Sequence, residues 1–181
     1  MAVLLEVQKI KVYNNLARLN RLSSKRAEAA FLDCCGSREW ARQMAVRRPF
    51  TMIEPLFAAA DEIWFGLTPA DWLEAFAAHP QIGSLQPARS QKRRAAQWSL
   101  GEQNGLAAAD ETLREQLAAA NRLYLQKFGF IFIVCAAGKT ADEMLAICKA
   151  RLGNSAATEL KIAAEEQLKI TEIRLNKLLE K

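Results

Sequence analysis

Apolar residues recur at helical intervals along almost the whole chain, and short polar punctuation separates the runs. In "SREWARQMAVRRPF" Ser37 stands as an N-cap, Trp40, Met44 and Val46 form the inward stripe, and Pro49 ends the run. "TMIEPLFAAADEIWFG" reads as a helix from a Thr51/Glu54 capping box to Gly66. "TPADWLEAFAAHP" has Thr68 as N-cap, Pro69 at the first helical position and Asp71 closing a capping box, with Trp72, Leu73 and Phe76 inward. After the Gly/Pro loop "GSLQPARS" comes a basic helical stretch, "QKRRAAQWSLGEQNG". "ADETLREQLAAANRLYLQKFG" carries Leu113, Leu117, Leu123 and Tyr124 on one face, and "TADEMLAICKARLGN" runs from Thr140 to a Gly153 C-cap. A last helix from Ser155 to Lys181 has Leu160, Ala164, Leu168, Leu175 and Leu178 as its stripe.

One stretch departs from this period. "FIFIVCAA", Phe130 to Ala137, is continuous and β-branched in the manner of a buried strand, but no second such run exists to pair with it. An unpaired strand leaves its backbone groups unsatisfied, so the segment is expected as a buried helix start or an extended crossing segment. The pattern therefore predicts an all-α, single-domain helical bundle of roughly eight helices. The 181 residues suit one domain with a sizeable core, and 51% hydrophobic with 25% charged residues is the balance of a globular protein.

Charge and cysteine change the picture little. A formal charge of +5 is compatible with nucleic acid, an anionic small substrate or neither. No apolar run reaches the ~20 residues that span a bilayer. The opening "MAVLLEVQKIKVYNNLARLNRL" is interrupted by Glu6, Lys9 and Lys11, and reads as an amphipathic helix rather than a signal peptide. Cys34, Cys35, Cys135 and Cys148 show no CxxC spacing, which suggests buried reduced thiols and a cytoplasmic setting. With one histidine and scattered cysteines no metal site is expected, and no glycine-rich phosphate loop is present.

Three places could carry chemistry, each with a plainer alternative. His79, in "AHPQIG", is the only histidine and precedes a proline, which drives it out of the α region just past a helix end. The negative end of the helix dipole there favours imidazolium and a raised pKa, suited to acid-base work; a cap or core hydrogen bond is the alternative. In "WSLGEQ", Ser99, Glu102 and Gln103 stand at i, i+3 and i+4 and share a helix face, yet S-x-x-E is also a capping box. Arg151, in "ARLGN", either contacts a ligand or complements the dipole of its own helix.

"FLDCCGSREWARQMAVRRPF", "AHPQIG", "WSLGEQ" and "KFGFIFIVCAAGKTADEMLAICKARLGN", in that order, resemble the OHCU decarboxylase family over roughly Leu19 to the C-terminus. That family converts 2-oxo-4-hydroxy-4-carboxy-5-ureidoimidazoline (OHCU) to (S)-allantoin and carbon dioxide in urate breakdown. The resemblance implies an all-α, cofactor-free enzyme, commonly a homodimer, with residues 1–18 as an N-terminal helical extension and 19–181 as the decarboxylase-like domain. It implies catalytic roles for His79 and Glu102. Substrate contacts are implied at Pro80, Ser99, Gln103 and Arg151, and at the backbone of Ile131, Phe132 and Ile133. Many relatives have proline where this chain has Ile131.

The substrate is its own electron sink, since the electrons left by carbon dioxide pass into an adjacent C=N bond; the protein must add a placed proton donor and a shielded face. A guanidinium on the departing carboxylate would stabilise the ground state, so Arg151 is expected on a ring or ureido oxygen instead. The competing reading is a non-catalytic basic helical module that binds nucleic acid or an acidic partner through Lys92, Arg93, Arg94, Arg47 and Arg48. If Glu102 is an acid/base group, Glu102→Gln lowers kcat with little change in melting temperature. A capping role would instead leave kcat intact and change stability by about 1 kcal/mol or less, because glutamine also serves at N3.

Overall fold

Local capping chemistry starts most of the helices. The computed structural model describes residues 2–81, 97–98 and 109–180, with side chains from residue 11 onward. Among these residues there are eight helices and no strand: α1 Ala2–Arg21, α2 Ser24–Cys35, α3 Arg38–Val46, α4 Ile53–Gly66, α5 Pro69–Ala77, α6 Glu111–Phe128, α7 Ala141–Arg151 and α8 Ala156–Glu180. The all-α bundle expected from the periodicity is what forms. Ser37 Oγ accepts from Trp40 N at 3.3 Å, and capping boxes join Thr68 to Asp71 and Thr140 to Glu143.

The start of α4 differs from the Thr51/Glu54 expectation. Met52 is the N-cap, with no side-chain cap bond. Starting at Thr51 would make Pro55 the first residue whose N–H must reach back to the N-cap carbonyl; starting one residue later puts proline in the first turn, where an N–H has no helical partner anyway. Three inward expectations also fail: Val46 is 71% exposed, Leu73 40% and Leu123 55%, each at the margin of its apolar stripe. α7 ends at Arg151 with Leu152 as C-cap, one residue before Gly153.

α8 is the axis of the bundle, contacted by α1, α2, α4, α5 and α6, while α2 packs on α3 and α6 on α7. Three indoles tie neighbouring helices by donating to backbone carbonyls: Trp40 to Ala60 at 3.1 Å, Trp64 to Ala164 at 2.9 Å and Trp72 to Trp64 at 2.9 Å. Burial of Trp40 and Trp64 with Phe31, Phe76 and Tyr124 supplies most of the aromatic core, and Trp72 is half-buried against it. The end of α1 is held by Arg48, whose Nη1 donates to the carbonyls of Leu19 and Leu22, both at 2.8 Å. Asn15 donates to Leu179 O at 2.8 Å and ties α1 to the end of α8.

The segment 130–136 runs extended and buried between α6 and α7, which settles the choice left open by its composition. Side chains satisfy its backbone where a sheet would otherwise do so. Ile133 O accepts from Arg151 Nη1 at 2.8 Å, Cys135 N donates to Glu166 Oε2 at 2.7 Å, and Cys135 O accepts from Lys139 Nζ at 2.7 Å.

Between α2 and α3, Gly36 has φ +91°, and a Cβ there would lie 2.7 Å from Ala78 Cβ and 3.3 Å from Ala75 O. The end of α5, and His79 with it, thus rests on a bare backbone. Gly36→Ala should destabilise the fold by about 1–3 kcal/mol, through strain at positive φ and overpacking against α5. A urea midpoint unchanged from wild type would refute this close approach.

Candidate functional site

The chain leaves α5 through Ala78 and His79, whose N–H donates to Phe76 O at 3.0 Å. Pro80 is buried beside it, and the His79 ring is half-buried with Nε2 turned inward. Opposite the ring stands α8, which presents Gln167 and Arg174. Gln167 approaches closely enough to favour the imidazolium, yet neither His79 Nε2 nor Gln167 Oε1 completes a hydrogen bond.

The charge state of His79 differs from the sequence expectation. Its pKa falls from 6.5 to about 3, chiefly because burial penalises the charged ring and further because Arg174 repels it; the Gln167 contact opposes this only in part. A helix terminus stabilises a cation by roughly 0.3–1 kcal/mol, whereas full desolvation moves a pKa by as much as 3–5 units. Desolvation wins, and the resting imidazole is neutral. The Cys35 thiol on the same side of α8 is pushed up to about 12 by burial, so it is an inert packing group at neutral pH. Cys34, Cys135 and Cys148 are also buried thiols, none of them in a disulfide.

Arg151 lies in a second polar cluster, 7% exposed at the end of α7. Its Nε donates to Glu159 Oε1 at 2.7 Å and its Nη2 pairs with the same oxygen at 2.5 Å. Tyr124 OH also donates to Oε1, and Asn154 Nδ2 donates to Oε2 at 2.7 Å. Burial, then the bond to Glu159, raises the Tyr124 phenol far above its ordinary range and keeps it neutral. The guanidinium also lies over the Phe132 ring, 4.9 Å from its centroid. Arg151 is therefore far more than a helix-end cation: it holds Ile133 O, pairs with a fully buried carboxylate, donates from Nη2 to Tyr124 OH at 3.3 Å and has one N–H left, on Nη1.

The two clusters are joined through aromatic contacts. The Phe130 ring is 5.4 Å from Phe76, three residues before His79, and 5.7 Å from Tyr124; Phe132 is 5.3 Å from Tyr124. The structure thus links the ends of α5 and α7 through segment 130–136, in which Phe132 and Ile133 are buried and Ile131 is half-buried. Trp98 is buried, and Phe128 meets Tyr124 with ring centroids 4.7 Å apart and planes tilted by 58°. Ser99, Glu102 and Gln103 lie outside the described residues, as does the run Lys92 to Arg94. Sequence reasoning missed Glu159, Gln167, Thr171 and Arg174. Their signal was polar residues at helical spacing on the apolar stripe of the last helix, where a solvated face has no place.

An open cleft of about 550 Å³ lies elsewhere, among Lys25, Glu28, Arg38, Glu39, Arg42 and Glu74. Its charges are largely paired with one another, Arg38 with Glu74 at 2.5 Å and Arg42 with Glu39 at 2.7 Å, and His79 does not reach it. Of the basic residues named for a binding module, Arg47 and Arg48 lie among the described residues, and both are engaged. Arg47 pairs with Glu62 at 2.8 Å, and Arg48 caps α1.

The sequence model of a family described as OHCU decarboxylase matches residues 20–176. The chain belongs to the OHCU decarboxylase family. It is 48% identical over 147 residues to the uric acid degradation bifunctional protein TTL of Arabidopsis thaliana, covering 80% of this chain and 45% of that protein. The chain thus spans less than half the length of that plant relative. A 2-oxo-4-hydroxy-4-carboxy-5-ureidoimidazoline decarboxylase of Amia calva is 32% identical over 136 residues, 74% of this chain and 75% of that protein. Among solved structures, a crystal structure of OHCU decarboxylase in the presence of (S)-allantoin superposes with a TM-score of 0.73 at 42% identity. It covers 83% of this chain and 97% of that one.

The depressed His79 pKa has a consequence for stability in acid. As pH falls below 6.5 the unfolded chain takes up a proton that the folded chain refuses until about pH 3, so the stability present above pH 6.5 is lost across that window. His79→Asn should therefore melt with a smaller difference between pH 7 and pH 4 than the wild type. Parallel acid profiles for the two proteins would show that His79 is not desolvated.

Proposed function

We propose that this chain decarboxylates OHCU to (S)-allantoin and carbon dioxide, without a cofactor, in the breakdown of urate. The observation that carries this reading is the half-buried imidazole of the sole histidine, its inward Nε2 without a completed hydrogen bond, in a chain 42% identical to an OHCU decarboxylase crystallised with (S)-allantoin present. Family membership gives the reaction class, and the neutral imidazole sets the order of proton transfers.

Carbon dioxide leaves from the carbon that bears the hydroxyl, and the electron pair moves into the adjacent C=N bond, whose nitrogen takes one proton. The enol that results becomes a ketone when its hydroxyl proton departs and a proton arrives on the neighbouring carbon. Neutral His79 accepts the hydroxyl proton first, and the imidazolium so formed donates to that carbon. Glu102 is the second acid/base group in this reading, and Ser99 and Gln103 are substrate contacts. Pro80, Ile131, Phe132 and Ile133 line the reacting face. Arg151 keeps the segment 130–136 in place, and offers its remaining N–H to a ring or ureido oxygen rather than to the departing carboxylate.

The homodimer and cytoplasmic location implied by the resemblance belong to the same proposal, as do the extension 1–18 and the domain 19–181. No helix among the described residues is long and apolar enough to cross a membrane.

The test is to supply freshly generated OHCU and follow the optical activity of the allantoin formed, because uncatalysed decay gives racemate. (S)-allantoin is expected from the wild type. His79→Asn should lower kcat by about 10²-fold or more while the protein stays folded. Racemic product at the uncatalysed rate from the wild type would end this reading, and near-normal turnover by the variant would remove His79 from the mechanism.

A further inference from the structure

The amide of Gln167 can be oriented without ambiguity. Its Nε2 donates to Cys35 O at 3.3 Å and to Thr171 Oγ1 at 3.2 Å, which accounts for both amide hydrogens. Thr171 Oγ1 in turn donates to Gln167 O at 3.0 Å and closes the loop on α8. Rotating the amide by half a turn would set its oxygen against the Cys35 carbonyl, acceptor facing acceptor. Oε1 must therefore be the atom turned away from Cys35, and it is buried without a partner of its own. His79 Nε2 is the buried ring nitrogen in the same state, and Gln167 is the side chain that acts on the imidazole as a hydrogen-bonding group. A neutral imidazole has one N–H and one lone pair. Opposite an obligate acceptor, the N–H belongs on Nε2.

We infer that Gln167 is a positioning residue for His79: its Oε1 takes the Nε2 hydrogen, selects one tautomer of the neutral ring, and leaves Nδ1 as the lone pair available to substrate. The inference rests on the proposed reaction for its use, though not for its geometry. Gln167 itself is fully buried and touches no reacting atom. Arg174, the charged group that acts on the ring among the described residues, assists by opposing a proton on the second nitrogen. The device gives the proposed base a fixed direction before substrate arrives, as an orienting partner does for other catalytic histidines.

His79 is the only histidine, so protein made with ring-labelled ¹⁵N-histidine and no affinity tag gives one pair of imidazole nitrogens. Long-range ¹H–¹⁵N correlation at pH 7 is expected to show a single neutral tautomer with the hydrogen on Nε2. In Gln167→Leu both tautomers should appear, and kcat should fall by about tenfold or more at unchanged KM, as for a base freed into the wrong tautomer. Should Gln167→Leu not fold, Gln167→Glu keeps the shape. It should raise the His79 titration by about one pH unit or more, because an opposite charge in contact favours imidazolium. A wild-type hydrogen on Nδ1, an unaltered tautomer in folded Gln167→Leu, or an unmoved titration in Gln167→Glu would overturn the assignment. Failure to turn over OHCU with the Nε2 hydrogen in place would instead strike the proposed reaction and leave the contact standing.

Discussion

The fully buried carboxylate of Glu159 is the constraint on which the rest of the site depends. Removing a carboxylate and a guanidinium from water costs several kcal/mol per ion, and their attraction offsets this only when the remaining lone pairs and hydrogens are also used. Here nearly all are: Arg151 and Tyr124 meet at Oε1, Asn154 takes Oε2, and Arg151 gives further N–H groups to Ile133 O and Tyr124 OH. This last bond explains how an extended segment survives inside an all-helical protein. With no neighbouring strand, residues 130–136 are satisfied by side chains brought from α7 and α8, and the ion pair fixes where those side chains are. Phe130 then reaches Phe76, so the position of the α5 terminus is tied to a charge pair at the other end of the site.

One helix carries both halves of this arrangement. Glu159 and Arg174 lie 15 residues apart on α8, roughly 22 Å along the axis. Between them the buried residues include the small Ala163 and Ala164, then the polar Gln167 and Thr171 beside Leu168 and Ile170. The alanines let α4 approach closely enough for Trp64 to bond Ala164 O, and the polar residues meet the ends of α2 and α5 where those helices stop. Because a single continuous helix holds them, the anchor of the extended segment and the groups behind His79 keep a fixed separation. Loops could not set it so reproducibly.

What the sequence disclosed follows from the range of the forces involved. Caps at Ser37, Thr68 and Thr140 are decided within four residues, so they were legible, and the period of the apolar residues was enough to give the helices and the fold class. The Thr51 cap failed because proline placement overrode a matching motif. Val46, Leu73 and Leu123 failed because an apolar residue at the edge of a stripe has no local mark of which side it faces. The placement of His79 just past α5 was readable, but its charge was not. A dipole effect can be inferred from one helix, whereas burial of the ring and repulsion by Arg174 depend on how distant parts of the chain pack, Arg174 nearly a hundred residues further along. Arg151 was recognised by resemblance, while its partner Glu159 looked like one more charge in a polar helix.

The change in sign at His79 alters the chemistry that the proposed reaction can use. An imidazole that titrated near neutrality could act as acid at once, and would also be free to protonate from solvent at any stage. A ring held neutral by burial and by Arg174 has no proton to give at rest. In the proposed reaction it becomes a donor only after it has taken a proton from the substrate itself, and only for as long as the substrate shields it from water. The donor is therefore created next to the one carbon that must receive a proton, on the face where His79 stands. The same desolvation that makes imidazolium costly in the resting protein makes it a strong acid once formed, which drives delivery to carbon. In the proposed reaction a single-handed product follows because the proton comes from the face on which His79 stands.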